Sequence, residues 1–498
     1  MADPTVEELR DGFRRARDRR AAWEPLWREC YAYALPLRGF GLGGEFAAAS
    51  RSAERLFDGT APDAVDQLAA SLLAHLTPPW SRWFGLRPGH DVPADAEGRV
   101  AEQLDAVAER VQGHFDRSNF AVEIHQCFLD LATAGTATLM FREAPAGSPS
   151  AFRFAAVPAA EIFVEGDACG GIGRVYRLST LTRQGLAAMF PSAVLPEADA
   201  DAADRRLSVV EAVQPEAGGH AYCAFLADAA AGDRPLATGR FEHSPFLTFR
   251  WLKGAGEVYG RSPVMTALPD IKTANKVVEL VLKNASIAVT GIWLADDDGV
   301  LNPANIRLTP GSIIPKAPGS AGLTPLQAPG RFDVSELVLT DLRARIRHTL
   351  LVDRLAPVDG PRMTATEVAE RAAETARLLG AVYGRLQAEL LNPLLQRALA
   401  ILRRRGEIPD LALDGRMAEL QWRSPLARAQ ARDDVRNTLL WLEQVGRLGP
   451  EAQQVVDPRA AARWLARSLG VPGELVREDA SPLDALLQLL PAETAGER

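Results

Sequence analysis

The chain has 498 residues, a net charge of -8, and 47% apolar against 24% charged residues. That balance is ordinary for a folded chain holding about two to four core-bearing units. Its acidic sign argues against a sequence-reading DNA binder, which presents a basic face to phosphates. The four cysteines, Cys30, Cys127, Cys169 and Cys223, are widely spaced with no Cys-x-x-Cys pair, so free thiols in a reducing cytoplasm are expected. No basic then apolar leader opens the chain, and the best apolar run, 277–295, is interrupted by Glu279, Lys283 and Asn284, which falls short of a bilayer span.

In chain order, residues 5–34, 61–76, 96–117 and 120–134 carry apolar positions at helical spacing, with Asp63 and Ser118-Asn119 near plausible starts. Between them, the segment 78–84 reads as a loop anchored by burying Trp80, Trp83 and Phe84 rather than as an aromatic platform for bases. From about 136 to 252 strands dominate, in ATLMF, FRFAAVP, GRVYRLS, LSVVEAV, AYCAFLA and FLTFRWL, with one short helix near 182–189. An α+β body is predicted. A helix over 263–289 opens at Ser262-Pro263, a hydroxyl N-cap with proline in the first helical position, and spans about 40 Å at roughly 1.5 Å per residue. Residues 291–331 are dense in turn residues and short β-capable runs, and helical spacing returns from Val334 to about Leu351. A loop with two prolines and a glycine follows. The helix from Thr364 to about Arg405 starts with a capping box, Thr364 with Glu367, and Asn392-Pro393 removes a backbone donor inside it, so a kink is expected there. Helices recur beyond 411, starting at Asp457-Pro458 and Ser481-Pro482, and the small polar tail AETAGER reads as loose.

Motifs of catalysis are not found: there is no G-x-x-x-x-G-K-[ST], no G-x-G-x-x-G after a strand, no H-E-x-x-H and no G-x-S-x-G. Asp296-Asp297-Asp298-Gly299 lacks the alternating ligands and closing Glu of a calcium loop and reads as a hairpin turn between IWLA and VLN. The seven histidines show no ligand spacing except the distant pair His114 and His125, and they read as surface or satisfied core histidines. No enzyme activity, cofactor or metal is expected.

The ordered series of phrases carries a resemblance. YGRSPV (259–264), PDIKTANKVVELVLKNASIAVTG (269–291), LTPGSIIP (308–315), the stretch from TATEV onward (364–409), and the opening segments 14–36 and 56–89 resemble the portal, or head-to-tail connector, proteins of tailed bacteriophages, short-tailed ones above all. The resemblance covers most of 10–410, and 411–498 is matched only by position. It implies a mainly α fold with an α+β wing domain and a long kinked helix. In the family's terms, 1–262 is the wing, 263–289 and 334–352 the stem, 290–333 the clip, 353–363 the channel loop, 364–410 the kinked wing helix and 411–498 the crown.

The function implied is a closed ring of subunits, usually twelve, at one capsid vertex: a conduit for genome packaging and ejection. Its implied partners are the terminase large subunit, a tail adaptor, capsid and scaffolding proteins, and double-stranded DNA passing without sequence readout, with no membrane involved. The implied location is the virion, after assembly in the host cytoplasm. An acidic chain suits such a passage, because strong Lys or Arg contacts to a sliding polyanion must be broken at each step. Asp353, Arg354, Asp359, Arg362 and Met363 are the implied loop residues near DNA. Asp296, Asp297, Asp298, Arg307 and Lys316 are the implied clip docking surface. Lys272, Lys276, Lys283, Arg343 and Arg347 serve either the lumen or subunit contacts. The alternative is a cytoplasmic helical adaptor or scaffold without a channel.

Overall fold

The first helix forms where the sequence supplies its own cap. In the computed structural model, Thr5 Oγ accepts from Glu8 N at 3.2 Å and Glu8 Oε2 accepts from Thr5 N at 3.1 Å, a reciprocal capping box that opens α1, Val6–Ala21. The structure describes residues 5–41, 54–93, 97–191, 193, 206–228, 234–290, 293–295, 323–325, 332–355, 380, 382–410, 418–422, 425–448 and 456–469. The single helix expected over 5–34 is two: α2 runs Glu24–Ala34 with Pro25 in its first turn. Pro25 has no N–H for the carbonyl one turn back, so the break falls where a proline is tolerated best. Then come α3 (Thr60–Leu76), β1 (Phe84–Pro88), α4 (Glu97–Asp116) and α5 (Phe120–Ala134). Asp58, not Asp63, serves the start of α3: its Oδ1 accepts from Thr60 N at 3.0 Å.

Each run read as a strand forms one: β2 (Thr136–Glu143), β3 (Phe152–Val157), β5 (Ile172–Leu181), β6 (Leu207–Glu216), β7 (Gly219–Leu226) and β9 (Phe246–Arg250). The short helix α6, Arg183–Met189, is capped by Thr182. Two further strands, β4 (Ile162–Gly166) and β8 (Ala237–Phe241), complete an antiparallel five-stranded sheet in the order β4-β5-β6-β7-β8; β3-β2-β9 form a second, three-stranded sheet. The outer edge of β3 is closed by side chains at the start of α5. Asn119 Oδ1 accepts from Phe154 N at 3.0 Å, and Glu123 Oε2 accepts from Ala156 N at 2.8 Å. Occupying edge groups in this way blocks pairing with a stray strand.

The chain continues through α7 (Pro263–Thr290), a short pair β10 (Trp293–Ala295) and β11 (Leu323–Pro325), α8 (Phe332–Thr349) and α9 (Val352–Leu355). After it come a π turn at Gln387–Leu391, α10 (Asn392–Arg404), β12 (Ala418–Trp422), α11 (Pro425–Arg447) and α12 (Pro458–Leu469). β12 pairs antiparallel with β1, Phe84 opposite Trp422 and Pro88 opposite Ala418, so the segment after 411 returns to the body before its helices begin. The fold is thus a mix of helix and sheet.

The largest core gathers α3, α4, α5, β2, the first turns of α7, α8 and α10. A second core sets Leu9 and Phe13 of α1 against Phe163, Tyr176, Val210 and Phe225 of the five-stranded sheet. Trp83 and Phe84 are fully buried, and Trp83 lies nearly parallel to Trp422, 6.3 Å away. Trp80 corrects the expectation of a three-residue anchor: it is 72% exposed. It sits in the turn before β1, where Pro78 and Pro79 carry it past the packed interior.

Candidate functional site

The α7–α8 hairpin is rooted in the body by close backbone contact. Gly135 takes φ 76° after α5, and a Cβ there would stand 2.5 Å from the Gly260 carbonyl oxygen, so only glycine permits this approach. Ser262 then caps α7, accepting from Met265 N at 3.0 Å while donating to Thr133 O at 2.8 Å. Val264, Ala267, Leu268, Ile271 and Ala274 enter the main core, as do Leu342, Ile346 and Leu350 from α8. Pro269 stands inside α7 without ending the helix.

Polar side chains fix the register of the pair. Arg345 reaches Asp270 at 2.8 Å across the two helices. Arg343 pairs with Asp58 at 2.8 Å, and Asn275 Oδ1 accepts from Phe57 N at 2.6 Å and Asp58 N at 3.1 Å. Burial works to raise the Asp58 carboxyl, but hydrogen bonds from Thr60 and Arg343 outweigh it and hold Asp58 below its usual range. Asp58 and Asn275 therefore tie both hairpin helices to the start of α3. Sequence reading missed both residues; Asp58, two positions before a helix with a threonine opening, was the one legible signal.

Of the five charges expected at the lumen or at subunit contacts, Lys272 pairs with Glu29 at 3.1 Å, while Lys276 and Lys283 both bond Glu279, at 3.0 and 2.6 Å. Arg343 is committed to Asp58, and Arg347 is exposed. These five do not converge on one point. Farther from the body the hairpin keeps apolar side chains in solvent: Leu280 is 50% exposed and Leu337 74%, with Leu282 and Val338 also open.

The loop expected from 353 begins as helix. Leu351 takes φ 61° and starts a new turn, α9, which holds an exposed Asp353 and the backbone of Arg354. A left-handed residue breaks the ladder, and the chain re-enters helix before its prolines. Asp359, Arg362 and Met363 lie outside the described residues, as do Asp296, Asp297, Asp298, Arg307, Lys316 and the capping box at Thr364.

At Asn392 and Pro393 the chain is in the first turn of α10, directly after the π turn. Pro393 offers no N–H to the Glu389 carbonyl, and the ladder widens just before it. The π turn points Glu389 at Arg250 of β9, whose side chain is 2% exposed. Glu389 Oε1 accepts from Arg250 Nη2 at 2.6 Å, and Oε2 from the Arg250 backbone N at 3.0 Å. One turn into α10, Arg397 is buried and bonds the carbonyls of Phe141 and His243; burial lowers its guanidinium to about 10. Two buried arginines thus pin this helix to the body.

A cleft of about 740 Å³ is lined by Arg15, Arg19 and Arg174 and by Glu8, Glu165 and Glu216, whose charges balance one another. Among the described residues no group of His, Cys, Asp and Glu could hold a metal ion, and no helix is long and apolar enough to cross a membrane.

A sequence model of the family described as "Bacteriophage head to tail connecting protein" matches residues 6–476. The chain is 25% identical to the "Probable portal protein" of Bordetella phage BPP-1 over 96% of its own length and 90% of the relative's. It is 25% identical to the portal protein of Enterobacteria phage T3 over 70% of its length and 66% of the relative's. The portal protein of Salmonella phage epsilon15 is 22% identical over 95% and 88%. A chain in the virion of a native gene transfer agent particle aligns over 84% of this chain and 92% of its own, at 15% identity and a TM-score of 0.35. The match to the family model runs along almost the whole chain, and this protein belongs to the bacteriophage head-to-tail connecting proteins, structural portal proteins rather than enzymes.

Proposed function

We propose that this chain is the subunit of a closed portal ring, usually of twelve, at one capsid vertex, where it conducts double-stranded DNA in packaging and ejection. The observation that carries this reading is the hairpin. Its inner half is built into the body core, while its outer half keeps Leu280, Leu282, Leu337 and Val338 in solvent. Such an apolar surface on a structural subunit calls for neighbours, and a head-to-tail contact that closes gives a ring. The relatives' names, portal proteins of several phages, point the same way.

In this reading α7 and α8 are the stem, 290–333 the clip, 353–363 the channel loop and 411–498 the crown. The clip docks the terminase large subunit and later the tail adaptor, capsid and scaffolding proteins surround the wing, and the ring passes from host cytoplasm into the virion. Lys276 and Lys283 are already bonded to Glu279, which makes them poor grips for phosphates. The reading is tested by replacing 296–328 with a short Gly/Ser linker. The variant is expected to stay folded and lose packaging, and unimpaired packaging sinks the clip assignment.

A further inference from the structure

The outer half of the hairpin carries two complementary patches. On α7, Lys276, Leu280 and Lys283 follow one another at spacings of four and three, which places them on one helix face. All three are exposed. On α8, Glu336, Leu337 and Asp341 set an exposed leucine between two exposed acids. The side chain of Asp341 is 71% exposed, and Arg345 of the same helix lies 3.9 Å from it. Both leucines stand at similar height on the hairpin. From the Asp270–Arg345 pair, Leu280 lies about 15 Å and Leu337 about 12 Å outward at 1.5 Å per residue.

The basic patch fits a protein surface better than a phosphate track. Lys276 and Lys283 share Glu279, so the patch holds one net positive charge, and Leu280 at its centre offers a phosphate nothing. An aliphatic knob ringed by charge resembles instead the centre and rim of a protein interface. The surface it matches in size, height and sign is on this same chain, on a different helix.

We infer that the α7 patch of one subunit packs on the α8 patch of the next, Leu280 beside Leu337, with Lys276 and Lys283 facing Glu336 and Asp341. This rests on the portal reading and assigns the two lysines to subunit contacts rather than to the lumen. Because the two patches differ, the contact is heterologous, the kind that propagates around a ring.

The test is a charge exchange in the full chain, with circular dichroism to establish folding and mass photometry to count rings. Glu336→Lys with Asp341→Lys, or Lys276→Glu with Lys283→Glu, raises the concentration for half-assembly by about tenfold or more, because like charges then face each other. Combining both exchanges restores assembly. Wild-type rings together with an indifferent acidic exchange overturn the pairing alone. So does a basic exchange that leaves rings intact but lowers packaged DNA, which places the lysines in the lumen. Folded single exchanges without rings, not rescued in combination, also overturn it. Wild-type protein that forms no rings overturns the portal reading itself.

Discussion

Removing the Glu389 carboxylate should loosen the joint between the π turn and β9 far more than removing any exposed charge. Arg250 is buried, and Glu389 supplies its anionic partner through Nη2 at 2.6 Å and Nε at 3.2 Å, and also binds its backbone N–H. In Glu389→Ala the guanidinium keeps only the Val258 carbonyl, at 2.9 Å, and is left as an uncompensated buried charge. Breaking a buried pair from one side costs about 3–5 kcal/mol. Even about 3 kcal/mol corresponds to local opening that is roughly a hundredfold more populated. Hydrogen–deuterium exchange read by mass spectrometry in peptides covering Phe246–Arg250 and Gln387–Leu391 measures it directly. Arg385→Ala is the control, since Arg385 touches Glu389 at 3.1 Å from a partly exposed position and should cost under about 1 kcal/mol. Replacing both partners, as Arg250→Met with Glu389→Leu, should recover part of the loss. Exchange in Glu389→Ala within twofold of wild type would refute the reasoning.

The two tryptophans of the turn before β1 should part company: Trp83→Ala lowers stability by about 3–5 kcal/mol, and Trp80→Ala changes it by less than about 0.5 kcal/mol, both read from denaturant midpoints. Asp58→Asn removes the charge that Arg343 meets and should cost about 1–3 kcal/mol. Because the folded Asp58 carboxyl is held below its ordinary value of 3.8, its stabilisation is complete above that value and is lost as pH falls through the lower folded value. Thermal midpoints followed from pH 5 downward should therefore fall less steeply in the variant than in wild type.

Much of this fold was readable because its signals are local. Ser262-Pro263, the alternating strands of the body and the periodicity of the hairpin helices each lie within one segment, and each formed where expected. What escaped was non-local. β1 and β12 are separated by most of the chain, and neither pattern alone distinguishes a strand from a loop until Trp83 stacks on Trp422. Pro25 was visible, yet a proline tolerated in a first helical turn marks a boundary only once the neighbouring helix is known to end. The hairpin's charges were legible as a set, but not their roles. Arg343 is taken by Asp58 and Lys272 by Glu29, partners remote in sequence that periodicity cannot supply. Pro393 signalled an irregular helix, whereas the aim of Glu389 at Arg250 depends on the π turn that the proline accompanies.

The account stands on the subunit closing into a ring around a passage. Negative-stain electron microscopy of the purified full-length chain, paired with mass photometry at micromolar concentration across a range of salt, addresses that claim most directly. The expected result is a population of closed rings with a central opening and one dominant rotational symmetry. A stable monomer or dimer at every salt concentration, with no rings on the grid, contradicts it.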